Sequence, residues 1–211
     1  MKSVQEILNL CYDPVNKRLN TDVSVHAADL DAHIRNLCEA PLVGKYWSGI
    51  PIHNVTTAGV ATGAMQATLI YVPRTITFDR IAIGITVAMA AGKKAMLSLY
   101  NHNETDFKPS TLILDEEIAG DATGVIAATI SQQLTKGLYW AVVDPEDSVT
   151  YRSFCSAIAL MGYDGTTWAN IVDLYYGTHT YGPAPATFPT AGTGYFHARA
   201  GSVQLRVVSL D

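Results

Sequence analysis

The sequence predicts a mainly β protein, an antiparallel two-sheet sandwich with a small α-helical segment at its N-terminus. Three observations carry that expectation. Apolar residues recur at helical spacing up to about residue 43 and mostly at a spacing of two beyond it. The later runs are rich in Val, Ile, Thr and aromatics and are separated by turn sequences. Neither GxGxxG nor a P-loop follows any strand, so a nucleotide-binding α/β fold lapses. At 211 residues and 48% hydrophobic the chain can bury roughly 70% of its unfolded surface without a disulfide or a metal.

The N-terminal elements come first. Ser3-Val4-Gln5-Glu6 has the form of a capping box, the Ser3 oxygen serving the Glu6 amide and the Glu6 carboxylate reaching back. Val4, Ile7, Leu8 and Cys11 then share one helical face, and Asp13-Pro14 stops the helix because a residue before proline disfavours the α region. A second helix is expected from about Ala27 to Cys38, with Leu30, Ile34, Leu37 and Cys38 on one stripe, closed by Pro41 and Gly44. Helices of about three turns need another surface to cover such stripes. That surface is either the chain's own sheet or a partner to which residues 1–43 attach.

From residue 44 to 211 the expected strands are Met65–Val72, Thr75–Val87, Lys94–Tyr100, Thr111–Ile118, Val125–Ile130, Leu138–Val143, Phe154–Met161 and Ser202–Ser209. Ile81, Ile83, Ile85 and Val87 alternate with smaller residues, but Ile76 and Phe78 are out of phase with them. A β-bulge at Asp79-Arg80 accounts for the slip. Ala90-Ala91-Gly92-Lys93, the segment Gly120–Gly124 and Asp144-Pro145-Glu146-Asp147 read as turns. Asp164-Gly165 is a hairpin signal. Eight or nine strands without intervening helices fit a sandwich of the jelly-roll kind.

Composition narrows the function classes. Charged residues are 16%, below the roughly 25% of an average soluble protein. A net charge of −5 with no Lys/Arg cluster argues against nucleic acid, whose binding requires phosphate neutralisation. No run approaches the ~20 apolar residues of a membrane span, so no membrane insertion is expected. The polar start is unlike a secretory signal peptide. Cys11, Cys38 and Cys155, an odd set without a CxxC pair, are expected to be reduced core residues of a protein made in cytosol.

The sequence shows no catalytic residue, metal ligand or cofactor site. The six histidines are scattered without ligand spacing, and there is no GxSxG. Neighbouring Glu116 and Glu117 point to opposite faces of a strand. The run Asn101–Asp106 offers oxygens but lacks the glycine and terminal glutamate of a calcium loop, and reads as a polar turn. The unusual stretch lies at about 163–197, where Tyr163, Trp168, Tyr175, Tyr176, Tyr181, Phe188, Tyr195 and Phe196 sit among Gly, Thr, Ala and Pro with almost no charge. It is expected to be a long loop, with Trp168, Tyr175, Tyr176 and Tyr181 as contacts. Its rings suit burial between copies of the chain, stacking on a sugar, or packing over the chain's own core.

Some of these residues carry a family resemblance. Val4-Gln5-Glu6-Ile7-Leu8-Asn9-Leu10 followed by Tyr12-Asp13-Pro14 and Leu19 resembles the N-terminal attachment motif of tailed-bacteriophage virion fibres and related tail or head structural proteins. The stretch Arg74–Ile81, Leu99-Tyr100-Asn101, Pro109–Asp115 and Leu134–Trp140 resembles the β-sandwich modules of phage fibres and adhesins. The chain lacks a collagen-like or coiled-coil shaft, so the resemblance implies a compact knob or decoration. It further implies a non-enzymatic virion protein assembled in host cytoplasm and anchored to capsid or tail proteins through Val4, Ile7, Leu8, Leu30 and Ile34. It implies a homotrimer, with a host-surface glycan as a further contact. A carbohydrate-binding module or lectin-like adhesin is the alternative.

Overall fold

The computed structural model describes residues 12–13, 18–19, 41–47, 54–155, 174–189, 194–195, 200–201 and 203–210. The chain divides into two compact units, residues 1–40 and 41–211. In the first, strand β1 (Tyr12–Asp13) pairs antiparallel with β2 (Arg18–Leu19), Tyr12 opposite Leu19. Both expected helices lie outside the described residues, and so do Val4, Ile7, Leu8, Leu30 and Ile34.

The second unit is a sandwich of two antiparallel sheets. Its strands are β3 (Tyr46–Trp47), β4 (Asn54–Val60), β5 (Ala64–Val72), β6 (Ile76–Val87), β7 (Lys94–Asn103), β8 (Lys108–Ala119), β9 (Gly124–Leu134), β10 (Gly137–Pro145), β11 (Val149–Cys155), β12 (Leu174–Thr178), β13 (Gly194–Tyr195), β14 (Ala200–Gly201) and β15 (Gln204–Leu210). One sheet has six strands in the order β13-β12-β5-β10-β7-β8. The other has seven and forks at β6. Strand β9 lies along one side of β6, while the other side pairs with β15 over Ile76–Ala82 and with β11 at Ile85 and Val87. Strand β4 flanks β11, and β3 flanks β15.

Period-two alternation builds the core between the sheets. Ile70, Val72, Leu97, Leu99, Ala141 and Val143 face inward from the six-stranded sheet. Phe78, Ile81, Ile83, Ile85, Tyr151, Leu205 and Val207 meet them from the other. The bulge falls where the phase of β6 changes. Its pairing with β9 shifts between Phe78 and Arg80, and its pairing with β15 shifts beside it. The extra residue lets Ile76, Phe78, Ile81, Ile83 and Ile85 all face the core, each at most 3% exposed. At the bulge Asp79 accepts from Arg206 Nε at 2.8 Å and also pairs with Arg206 Nη2.

Most expected strands are present, and the larger differences concern β11, β4 and β12. Strand β11 begins at Val149, not Phe154, since its pairing with β4 starts at Val149–Val60, and residues 156–161 of the expected strand lie outside the described residues. Strand β4, whose Thr- and Gly-rich sequence carries little apolar alternation, was not foreseen. Within the stretch read as a continuous loop, residues 174–178 form β12, paired with β5 from Leu174–Thr68 to Thr178–Ala64. The Asp164-Gly165 hairpin lies outside the described residues.

Candidate functional site

The aromatic residues gather on the outer face of the six-stranded sheet. Strand β10 is apolar on both faces, the mark of a strand covered on both sides. Ala141 and Val143 go to the core, while Trp140, Val142 and Asp144 project outward. Met65, Ala67 and Leu69 of β5, Met96 and Tyr100 of β7, and Tyr175 of β12 share that outer face. A strap of residues 179–189 crosses over them. Its Ala184 and Phe188 close a second apolar cluster in which Trp140 and Tyr100 have no exposed surface.

The rings lock edge to face. Trp140 meets Tyr175 at 5.4 Å and 76°, Tyr100 meets Phe188 at 5.5 Å and 88°, and Phe107 meets His102 at 4.2 Å and 65°. Several polar atoms in this layer are paired, while the buried Ser98 Oγ and Asp144 Oδ1 have no hydrogen-bond partner among the described residues. Trp140 Nε1 donates to His102 Nδ1 at 3.0 Å, which fixes the proton of a neutral His102 on Nε2. Burial lowers the His102 pKa, against a smaller opposing pull from Glu104. Tyr100 Oη donates to the Pro185 carbonyl at 2.8 Å, and burial together with Asp115 and Asp144 raises its pKa. Phe107 has φ 55°, a left-handed conformation that a bulky residue rarely adopts, and its ring sits within this cluster.

Carboxylates of the sheet hold the strap. His179 Nδ1 lies 2.7 Å from Asp144 Oδ2, Tyr181 Oη donates to Glu117 Oε1 at 3.0 Å, and the Ala184 amide donates to Asp115 Oδ2 at 3.1 Å. Asp144 is fully buried. Burial raises its pKa, and the His179 hydrogen bond and charge pull it back down. Glu117 is held below the usual carboxylate range by Lys94 first and Tyr181 second. Backbone bonds add to these: Leu112 N–H donates to the Ala186 carbonyl and Phe188 N–H to the Ser110 carbonyl, with Thr187 bridging Thr111 on the outer edge of β8.

The four expected contact residues separate. Tyr175 lies in the aromatic layer, 8% exposed, with its ring against Trp140. Tyr176 is one position along β12, so its side chain goes to the opposite face, where its hydroxyl accepts from Gln66 Nε2 at 2.7 Å. Tyr181 is half-buried on the strap, and Trp168 lies outside the described residues. Of the three readings of the aromatic stretch, packing over the chain's own strands is the one that Tyr175 and Phe188 follow. Sequence reasoning missed Trp140, His102, Asp144 and His179. The doubly apolar alternation of β10 was the signal for Trp140 and Asp144, whereas nothing local ties His179 to Asp144.

Asn103 Oδ1 accepts the Thr105 amide at 2.9 Å and the Asp106 amide at 3.3 Å, so the polar segment before Phe107 is a self-bonded turn. Among the described residues no three His, Cys, Asp or Glu side chains gather as a metal site. The outer face of the seven-stranded sheet differs from the strapped one. Along β9, Val125, Ala127, Thr129 and Ser131 all face water, Val125 at 69% exposure, while Ile126, Ala128 and Ile130 turn toward the core. Compared with known proteins, the chain matches no protein-family model and no curated protein sequence.

Proposed function

We propose that this chain is a non-enzymatic structural protein of a tailed-bacteriophage virion: a fibre, knob or decoration assembled in host cytoplasm. It attaches to capsid or tail through residues 1–43 and self-associates through its sandwich. The strand order carries the reading. Strands β4 to β11 divide between the sheets as β4-β11-β6-β9 and β5-β10-β7-β8. That order supports a jelly roll of two Greek keys, an architecture that recurs in viral capsid and lectin domains. The resemblance of the N-terminal motif favours the virion over the lectin. So does the sealing of Trp140 and Tyr175 beneath the strap, since a sugar platform needs an open ring face.

The test is mass spectrometry of purified phage particles together with the native mass of the free chain. The reading expects many copies per particle, an oligomeric free chain, and loss from particles when residues 1–43 are deleted. A chain absent from particles, or glycan binding that disappears on Trp168→Ala with the oligomer intact, would overturn it.

A further inference from the structure

We infer that ordered water is held between the two sheets, at a buried polar site formed by Gln66 of β5 with Tyr151 and Ser153 of β11. The inference stands apart from the function proposed above and needs no second copy of the chain.

The interior is apolar over most of its extent, but not here. Along β5 the inward positions are Gln66, Thr68, Ile70 and Val72, so the half that starts at Ala64 is polar and the other half apolar. Tyr176 of β12 is the register partner of Gln66 and turns its hydroxyl to the Gln66 amide. On the facing sheet, Tyr151 and Ser153 stand two positions apart on β11 and so share its inward side. Strand β14 pairs with β11 at Ser153–Gly201 and also lies against β5, which brings this part of β11 over the polar half of β5. The Tyr176 phenol is near enough to Tyr151 for its charge to add to burial in raising the Tyr151 pKa.

Three atoms at this site have no hydrogen-bond partner among the described residues: Gln66 Oε1, Tyr151 Oη and Ser153 Oγ. They belong to residues at most 1% exposed, so bulk solvent does not serve them. Turning the Gln66 amide end for end would give Tyr176 the oxygen and leave the nitrogen unpaired instead. Unpaired polar groups are costly in an interior, and native proteins satisfy them with protein atoms or with ordered water. The chemistry of the three atoms selects water. None of them carries a charge, so an ion would lack a counter-charge. The amide oxygen only accepts, whereas each hydroxyl both donates and accepts. A water molecule donates to Gln66 Oε1 and accepts from the Tyr151 hydroxyl, and it reaches Ser153 Oγ directly or through a second water. About three such bonds are usual for a buried water.

The experiment is a high-resolution crystal structure of the full chain, together with thermal denaturation of Tyr151→Phe and Ser153→Ala. The crystal is expected to show water within hydrogen-bond distance of Gln66 Oε1, Tyr151 Oη and Ser153 Oγ. Tyr151→Phe keeps the ring and removes one bond to that water, so its Tm is expected to fall by about 2–4 °C. Ser153→Ala is expected to lower Tm in the same way. In a dry site either change deletes an unpaired buried hydroxyl, and Tm would hold or rise. A Tm unchanged or raised in either variant, a site without water density, or the three atoms bonded directly to protein groups would overturn the inference and leave the proposed function untouched.

Discussion

Phe188→Ala tests whether the strap belongs to the chain's own core. Phe188 is 4% exposed, its ring meets Tyr100 at a right angle, and its Cε1 and Cζ lie 3.2 Å from where a Cβ on Gly177 would stand. Truncating a buried phenylalanine costs about 3–5 kcal/mol in transfer and cavity terms. Part of that, about 0.5–1.5 kcal/mol, belongs to the edge-to-face pair with Tyr100. For a domain of this size the loss lowers Tm by roughly 6–20 °C. Thermal denaturation gives the shift, and hydrogen exchange at the Leu112 and Phe188 amides locates it, since both donate between strap and β8. Light scattering on the same sample is expected to show an unchanged oligomer. A loss below about 1 kcal/mol, or a dissociated oligomer with an unchanged Tm, would refute the assignment of this ring to internal packing.

Three further outcomes are expected. His179→Leu strands the buried Asp144 carboxylate and is expected to cost about 3–5 kcal/mol at pH 7. Because Asp144 has a raised folded pKa that rises further without His179, the folded variant binds the extra proton. Its deficit in urea denaturation should therefore shrink as pH falls toward 3.8, and a pH-independent deficit would count against the pair. His102 has a lowered folded pKa, so the unfolded chain binds its proton first and stability falls as pH drops below about 6.5. His102→Asn, which still accepts from the Trp140 indole, should flatten that slope, and an identical slope would refute the assignment. Gly177→Ala drives a methyl into Phe188 and Pro189 at 3.2–3.3 Å and is expected to cost about 1–3 kcal/mol. Gly59→Ala meets only ordinary van der Waals contacts, at 3.6 Å and beyond, and should stay within about 0.5 kcal/mol, so equal losses at the two glycines would contradict the packing described.

The two-sheet fold was legible in the sequence because inward and outward residues alternate. The broken phase between Phe78 and Ile81 marked the bulge, since only an inserted residue lets both halves of β6 face one core. Strand β4 was not legible. Asn54–Val60 owes its place to pairing with β11, about 90 residues away, and not to any pattern of its own. The site was harder still. Tyr175 and Tyr176 look equivalent in a row of aromatics, and only the register of β12 on β5 sends one to the strapped face and the other inward. The Asp144–His179 pair joins β10 to the strap across 35 residues of sequence, so no local spacing announces it.

The forked arrangement around β6 has a consequence for biosynthesis. Its Ile76–Ala82 half is completed by β15, which leaves the ribosome roughly 130 residues later, on the order of ten seconds at ordinary elongation rates. Until then the nascent chain holds Ile76, Phe78 and Ile81 in a sheet with one flank missing, so closure of that half waits for β15. Truncated or stalled products ending before residue 204 would expose the same flank and are natural clients for chaperones.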